Sequence, residues 1–391
     1  MSSILASDIL AQESPRARLG LLLQQFRRLP DERDPERIMY PLHEVLLLCV
    51  CATICSCDDF EDIEAWGNAH ADVLRQFSEF HFGVPCARWL RALFNRIDPQ
   101  LFTACFEAWI KQLWPDRHDL IAIDGKTARR SHGRSRGIKA MHVLSAYATD
   151  ARLTLAQTTV SEKSNEITAI PELIDHLAQT KQLQGAIVTI DAMGCQADIA
   201  ARITGHKAHF LLALKGNHPN LEAEIASYFN DAPPDELICE TTLDKAHGRI
   251  ETRIHALSAN TGWIASQRSG DGGTRFTGIN SILKIVSRIE YPDRCSTETR
   301  YYISSLEPDI KRAIHAARGH WGVESMHWLL DVVFNEDQNR YRAGHGAQNM
   351  AFIRRFAINL LRAEPSGKSL KIKRKRAGWD PNFLLKILQI K

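Results

Sequence analysis

The chain has 391 residues, of which 44% are hydrophobic, and a formal net charge of only +3 at pH 7. This length and apolar content exclude a largely disordered chain and allow two domains with substantial cores. The small net charge does not indicate a class of partner, so local clusters of charge are more informative than the total.

The cysteines and the apolar runs indicate a protein of a reducing compartment without a membrane span. There are nine cysteines at irregular spacings and no secretory signal at the N-terminus, so we expect free thiols in the cytoplasm. The longest apolar run, residues 45–55, is about half the length that crosses a bilayer and predicts a buried helix. Four cysteines in and beside it have spacings that favour core positions over a zinc site: Cys49, Cys51, Cys55 and Cys57.

Residues 1–115 are predicted to form a helical N-terminal domain. In segments 58–77 and 98–114, an initial Asp suited to a helix N-cap precedes apolar residues three and four positions apart. These helices could include a helix-turn-helix that contacts DNA ends, although the same spacing is that of an ordinary amphipathic helix. The candidate contacts are Arg88, Arg91 and Arg96.

A mixed α/β domain is predicted for residues 116–362. Strands are expected at 120–124, 141–149 and 153–160, with the last two joined by a short polar turn, as a three-strand meander. Helical segments then alternate with apolar strands, which favours parallel pairing and an α/β core.

Three later segments complete the organisation. Residues from about 232 to 305 return to short strands and are predicted to form a β-rich insertion, after which 307–334 are predicted to be helical. Residues 363–391 are predicted to form a basic tail, with six basic residues in the nine from 368 to 376. This tail would attract phosphate, although basic tails are often only solvated.

A single acid, Asp124, ends the apolar strand 120–123 and precedes a cluster of basic residues. The cluster contains no Asp or Glu and consists of Lys126, Arg129, Arg130, Arg134, Arg136 and Lys139. A carboxylate in this position could neutralise the cluster, hold a metal ion, or do both.

Asp191 ends the apolar run 186–190 just as Asp124 ends its strand. Because the ends of parallel strands meet at one edge of a sheet, the two acids are predicted to lie side by side. Two close carboxylates repel each other, and a divalent cation relieves that repulsion. The alternative is that each acid only caps the turn or helix that follows it.

The predicted helix 307–334 carries a polar stripe. At intervals of three and four residues it contains His320, Glu324, His327 and Asp331. One apolar stripe (Trp321, Trp328, Val332) and another (Val323, Met326, Leu330, Phe334) flank it on opposite sides. We therefore predict that the polar stripe points into the protein, where its charges need partners or a metal ion. An all-oxygen Mg²⁺ or Mn²⁺ site fits better than di-iron or zinc, because no second Glu-x-x-His exists and two His seven residues apart cannot bind one ion.

Two strand-end acids and a helical Glu beside a basic cluster describe a two-metal phosphodiester site. The predicted ligands are Asp124, Asp191 and Glu324, and the basic cluster would bind the phosphates that flank the scissile one.

Several motifs resemble those of the DDE transposases of bacterial insertion sequences, in the branch with the H-repeat-associated proteins. The motifs are IDGKTARRS (123–131), EKSNEITAIPELI (162–174), TIDAMGCQ (189–196), LALKGNH (212–218) and HWGVESMHWLLDVVFNEDQNR (320–340). The resemblance covers residues from about 30 to 362.

The resemblance implies an RNase H-like α/β fold: a mixed sheet flanked by helices, an all-helical N-terminal domain, and a β-rich insertion before the last catalytic helix. It also implies the catalytic triad Asp124, Asp191 and Glu324 with two Mg²⁺ or Mn²⁺ ions. Related transposases surround the Glu with a Tyr, an Arg and a Lys, but these positions hold Ala317, His320 and Asp331 here, so the roles of those residues do not transfer. Glu336 and Asp337 remain alternative third ligands.

The function predicted from these observations is a DNA transposase that cuts at element ends and joins the 3′-hydroxyls to target DNA. Further DNA contacts are expected from Lys215, His320, Arg340 and Arg342. At least a dimer assembled on DNA, at the nucleoid in the cytoplasm, is expected. The alternatives are a metal-dependent nuclease that does not mobilise an element and a catalytically silent DNA-binding remnant.

Overall fold

A computed structural model describes residues 17–113, 119–132, 139–160, 165–246, 248–266 and 276–388. The strands are β1 Leu120–Ala128, β2 Met141–Ala148, β3 Leu153–Val160, β4 Ile187–Ile190, β5 His209–Leu214, β6 Ile238–Ala246, β7 Arg249–Ser258, β8 Ser281–Glu290 and β9 Cys295–Ser304. None of the helices within these ranges is long and apolar enough to cross a membrane.

The helices surround these strands in the chain. They are α1 Ala17–Arg28, α2 Leu42–Ile54, α3 Phe60–Ala69, α4 Ala71–Leu74, α5 Ala87–Arg96, α6 Pro99–Leu113, α7 Glu166–Gln179, α8 Ala197–Gly205, α9 Pro219–Asp231, α10 Gly262–Ser266, α11 Ile310–Gly319, α12 Trp321–Val332, α13 Gly346–Ala363, α14 Leu370–Trp379 and α15 Pro381–Leu388.

The nine strands form one mixed sheet in the order β3-β2-β1-β4-β5-β9-β8-β7-β6. Strand β4 pairs in parallel with β1 and with β5, whereas β2 with β3 and the run from β5 through β9, β8 and β7 to β6 are antiparallel. The predicted mixed α/β fold, with a helical N-terminal region and a β-rich insertion, is therefore confirmed. The insertion is a four-strand antiparallel meander, β6 to β9.

The chain divides into two compact units. The insertion unit comprises the described parts of residues 117–124 and 164–323, and the helical unit comprises the described parts of 1–116, 125–163 and 324–391. Strand β1 contributes residues to both units. The insertion unit has a core of buried apolar side chains from its strands and from α11, among them Leu120, Ile187, Leu211, Leu283 and Ala316.

The helical unit is built around α2 and α13. Residues 45–52 of α2 are almost completely inaccessible to solvent. Helix α13 packs on α6, where the ring of Phe356 of α13 lies 5.0 Å from that of Phe106 and 5.3 Å from that of Trp109. The four cysteines in and after α2 are free and buried, which confirms that they are core residues, and burial raises the pKa of the Cys57 thiol to about 12.

The helix predicted over 307–334 is divided into α11 and α12 at His320. The side chain of Asp309 caps α11 by accepting hydrogen bonds from the backbone N–H groups of Lys311 and Arg312. At the junction the backbone N–H of His320 donates to the oxygen of Ala316, four residues back, whereas that of Val323 donates to the oxygen of His320, only three residues back.

The segment predicted to be a basic tail forms two helices. Helices α14 and α15 occupy residues 370–379 and 381–388, and two basic residues of α14 are buried, Lys373 and Arg374. The guanidinium of Arg374 donates to the backbone oxygens of Thr53, 2.8 Å away, and of Val333, and to Asp58 Oδ1 at 2.7 Å. Within this segment these two cations therefore stabilise the helical unit and are not available to phosphate.

Replacing Arg374 by Met is expected to lower the free energy of unfolding by roughly 2–4 kcal/mol, because it leaves buried carbonyl oxygens without a donor. Urea unfolding monitored by circular dichroism measures this change. Lys375→Met, at the exposed neighbouring position, is the matched control and should change the value by less than about 0.5 kcal/mol. Equal effects of the two substitutions would contradict a structural role for Arg374.

Candidate active site

Asp124 and Asp191 follow directly on paired positions of two parallel strands. Ile123 of β1 is in register with Ile190 of β4, so the two acids lie side by side, as predicted. The predicted end of the first strand at Asp124 was wrong, because β1 continues to Ala128. Both side chains are partly buried. Burial raises the pKa of Asp191, and the negative charges of Asp124 and Glu166 raise it further. The site thus has the like-charge repulsion that a bound cation relieves.

A tight turn fixes the carboxylate of Asp191. Its Oδ1 accepts hydrogen bonds from the backbone N–H groups of Met193 at 3.1 Å and Gly194 at 3.2 Å, in the short 3-10 helix that follows β4. A Cβ atom on Gly194 would lie 2.2 Å from Cγ2 of Ile190, so only glycine fits there. Asp191 therefore caps the turn, as the alternative interpretation expected, and both of these hydrogen bonds use Oδ1 of its carboxylate.

The loop after β5 holds this turn in place. The side-chain amide of Asn217 donates to the backbone oxygen of Ala192, and Nε2 of His218 lies 2.6 Å from the backbone oxygen of Cys195. Neither residue was predicted to be part of the site, although both belong to the motif LALKGNH (212–218). The signal that was available was the polar Gly-Asn-His at the end of an apolar strand.

His320 lies near the two acids within the insertion unit. Its Nδ1 is 3.0 Å from Oγ1 of Thr189, which is two residues before Asp191 on β4. Burial lowers the pKa of His320, and the charges of Asp124 and Asp191 oppose this effect only in part. The imidazole is therefore expected to be neutral near pH 7, which does not favour the predicted phosphate contact through a positive charge.

Glu324 lies in the first turn of α12, four residues after His320, and its side chain is exposed. It belongs to the helical unit, whereas Asp124 and Asp191 belong to the insertion unit. Its role as the third acid therefore stays a prediction.

The prediction that the polar stripe of α12 points into the protein was wrong for Glu324, which is exposed, whereas His327 and Asp331 are partly buried. Val323, Met326 and Leu330 are fully buried. The other apolar stripe is exposed, with 47% of Trp321, 57% of Trp328 and 50% of Val332 accessible to solvent. Periodicity identified the two stripes correctly but could not indicate that only one of them has a covering element.

The basic cluster after Asp124 does not act as one surface. Lys126 is buried and forms ion pairs with acids from residues 331–337, whereas Arg129 and Arg130 are exposed, as are Lys139, Lys215, Arg340 and Arg342. Arg134 and Arg136 lie outside the described residues. The predicted role of Lys126 as a DNA contact is inconsistent with this burial.

The two alternative third ligands are engaged in ion pairs. Glu336 is 4% exposed, and its Oε1 lies 2.9 Å from Arg355 and 3.6 Å from Arg354. Burial alone would raise the pKa of Glu336, but these guanidinium groups lower that pKa to about 2. Asp337 pairs with Lys126 and Arg129. A metal ion would therefore have to displace these ion pairs before either acid could bind it.

The donor atoms of the two acids fit a hard divalent cation. Asp124 and Asp191 supply carboxylate oxygens, the ligands that Mg²⁺ and Mn²⁺ prefer. Within the described ranges, no group of three or more His, Cys, Asp or Glu is assembled closely enough to hold a metal ion.

Two protein-family models together match residues 23–360 of the chain. Residues 98–360 match the transposase DDE domain, and residues 23–110 match the DDE_Tnp_1-associated model. The chain therefore belongs to the DDE transposase family, which confirms the resemblance seen in the motifs.

Its relatives include H-repeat-associated proteins of Escherichia coli (strain K12). The chain is 35% identical over 382 residues to "H repeat-associated putative transposase YhhI", which covers 95% of this chain and 98% of that protein. It is 37% identical over 243 residues to "H repeat-associated putative transposase YbfD", with 61% and 93% covered. A solved piggyBac transposase synaptic complex with hairpin DNA is similar with a TM-score of 0.44 and 10% identity, over 96% of this chain and 81% of that chain.

Asp191→Asn is expected to stabilise the fold near pH 7. The pKa of Asp191 is raised, so its ionised form is unfavourable in the folded state above that pKa, and protonation removes the cost as the pH falls. Asn keeps an oxygen for the turn, and the free energy of unfolding should increase by about 1 kcal/mol or less. Urea unfolding at several pH values should show the gain disappearing below the raised pKa.

The matched control is Asp293→Asn, an exposed acid in the same unit, which should leave the pH dependence of stability unchanged. A loss of stability in Asp191→Asn at pH 7 would show that the carboxylate charge is favourable to the fold.

Asn217→Ala is expected to loosen the turn after Asp191, because the backbone oxygen of Ala192 loses its side-chain donor. Hydrogen exchange should become faster at the amides of Met193 and Gly194, and the free energy of unfolding should fall by roughly 1 kcal/mol. Asn220→Ala, three residues on and exposed, serves as the control. Unchanged hydrogen exchange in Asn217→Ala would mean that the turn does not depend on the hydrogen bond from Asn217.

Proposed function

We propose that this protein is an active DNA transposase that cuts at the ends of an insertion sequence and joins the resulting 3′-hydroxyls to target DNA. The observation that carries the proposal is the pair Asp124 and Asp191, side by side on neighbouring parallel strands within the segment that matches the transposase DDE domain. Cutting and joining are both in-line displacements at phosphorus, so one site serves both reactions.

In this proposal Asp124, Asp191 and Glu324 hold two Mg²⁺ or Mn²⁺ ions. When bound, these ions make water or a 3′-hydroxyl a better nucleophile and stabilise the leaving oxygen. Asp191 presents Oδ2 while Oδ1 is held by the turn, so its orientation is set before DNA arrives.

The DNA would be bound by the exposed cations. Arg129, Arg130 and Lys139 follow the strand of Asp124, Lys215 follows β5, and Arg340 and Arg342 follow the helix of Glu324. Contacts of this kind bind phosphate in a salt-dependent and largely sequence-independent way. Coordinated cutting of two ends favours at least a dimer on DNA, at the nucleoid.

The test uses DNA that ends in the inverted repeats flanking the gene, with Mg²⁺ or Mn²⁺. Wild type should cut at the repeat and join the cut end to a target plasmid. Asp191→Asn and Glu324→Gln should bind the same DNA but react more slowly by about a hundredfold or more, because each removes a charged metal ligand. Asp293→Asn is the control with wild-type rates.

Each of the other outcomes supports a different function or a different third ligand. Cutting without joining supports the nuclease that does not mobilise an element. Binding without cutting in either metal supports the silent DNA-binding remnant. Wild-type rates in Glu324→Gln, together with loss of cutting in Asp337→Asn, would assign the third ligand to Asp337.

A further inference from the structure

A cluster of ion pairs lies within the helical unit, around the first lysine after Asp124. Lys126 is only 7% exposed, and its Nζ lies 2.6 Å from Asp331 Oδ1 and 3.3 Å from both Glu336 Oε2 and Asp337 Oδ1. The ammonium therefore contacts three carboxylates from one stretch of seven residues. This stretch begins in α12 and ends just beyond it.

Arginines complete the cluster on the far side of the acids. Arg355, on α13, lies 2.9 Å from Glu336 Oε1, and Arg354 lies 3.6 Å from the same atom. Asp337 accepts a hydrogen bond of 3.1 Å from the backbone N–H of Arg129. Three buried or partly buried cations thus balance three acids, which is the arrangement in which buried charge is tolerated.

The ion pair of Lys126 with Asp331 joins the two elements that carry predicted acids. Lys126 is two residues after Asp124 on β1, and Asp331 is seven residues, or about two helical turns, after Glu324 on α12. Side chains two apart on a strand and seven apart on a helix share a face. Lys126 therefore shares a face of β1 with Asp124, and its partner Asp331 shares a face of α12 with Glu324.

We propose that Lys126 is a positioning residue for catalysis, which holds β1 against α12 through Asp331, and that it does not contact DNA. This inference rests on the proposed function, because positioning matters only if the acids act together. Three carboxylates around the ammonium already neutralise it and would repel a phosphate that approached. Misplacement of a catalytic group by about 1 Å can cost roughly a hundredfold in rate.

The first experiment separates positioning from DNA contact by comparing four variants of the full chain. Lys126→Met removes the charge at similar length, Lys126→Arg keeps it, Lys215→Met removes an exposed cation proposed to contact DNA, and Lys111→Met removes an exposed cation of α6 as the neutral control. For each, affinity for repeat-end DNA is measured over a range of salt concentrations, and the single-turnover cutting rate is measured at saturating DNA.

Lys126→Met should cut more slowly by at least about tenfold, with unchanged DNA affinity and an unchanged slope of affinity against salt. Lys126→Arg should recover most of the rate. Lys215→Met should instead bind DNA more weakly, and the slope of log affinity against log salt concentration should become shallower by about one. A reduced salt slope in Lys126→Met, or a wild-type cutting rate in it, would overturn the proposal.

Asp331→Asn covers the case in which Lys126→Met does not fold, because Lys126 then keeps Glu336 and Asp337 as partners. It should slow cutting with unchanged DNA affinity, and a wild-type rate would overturn the proposal equally.

Hydrogen exchange of the protein without DNA tests the same inference independently of activity. Loss of the ion pair in Lys126→Met or Asp331→Asn should speed exchange in both β1 and α12, and Lys126→Arg should not. If wild type does not cut DNA but this exchange pattern is seen, the proposed function fails, while the role of the Lys126–Asp331 ion pair in holding β1 against α12 is supported. If wild type cuts and neither exchange nor rate responds, the positioning role fails alone.

Discussion

Two carboxylates of like charge on neighbouring parallel strands, Asp124 within β1 and Asp191 just after β4, are the constraint around which this protein is organised. Asp124 and Asp191 meet because β1 and β4 pair in register, and their repulsion is unfavourable for the fold unless a cation binds. The surroundings keep Asp191 oriented in spite of this repulsion. Its turn, the glycine that permits the turn, and the Asn217 and His218 side chains all act on the same short segment.

The strands and the two acids were predictable from sequence, because their signals are local. An apolar run followed by Asp predicted both β1 and β4, although β1 continues past Asp124 to Ala128. The supports of these acids were not predictable in the same way. Asn217 is more than twenty residues from the turn it holds, and Lys126 is about two hundred residues from its carboxylate partners. Among so many residues of suitable type, spacing alone does not choose between partners.

Helical periodicity shows which residues share a face, but not what covers that face. The Trp321 stripe and the Val323 stripe have the same spacing, yet only the second is buried. Composition misleads for a related reason in two basic segments. The positive charge of Lys126 suggested a phosphate contact, and that of residues 368–376 suggested a tail, whereas Lys126, Lys373 and Arg374 are buried in contacts with the protein itself. Charge counted along a chain cannot reveal acids and carbonyl groups that approach from elsewhere.

The position of Arg374 has a consequence for how a gene of this kind decays. Its guanidinium bonds the backbone at Thr53 and Val333 as well as the side chain of Asp58, so the end of the chain completes a core that begins near its start. A nonsense mutation or frameshift shortly before codon 370 would leave every proposed catalytic acid encoded and still remove that contact. Truncated copies of the gene would therefore be expected to yield degraded polypeptide, and not a shortened protein that competes for the same DNA ends.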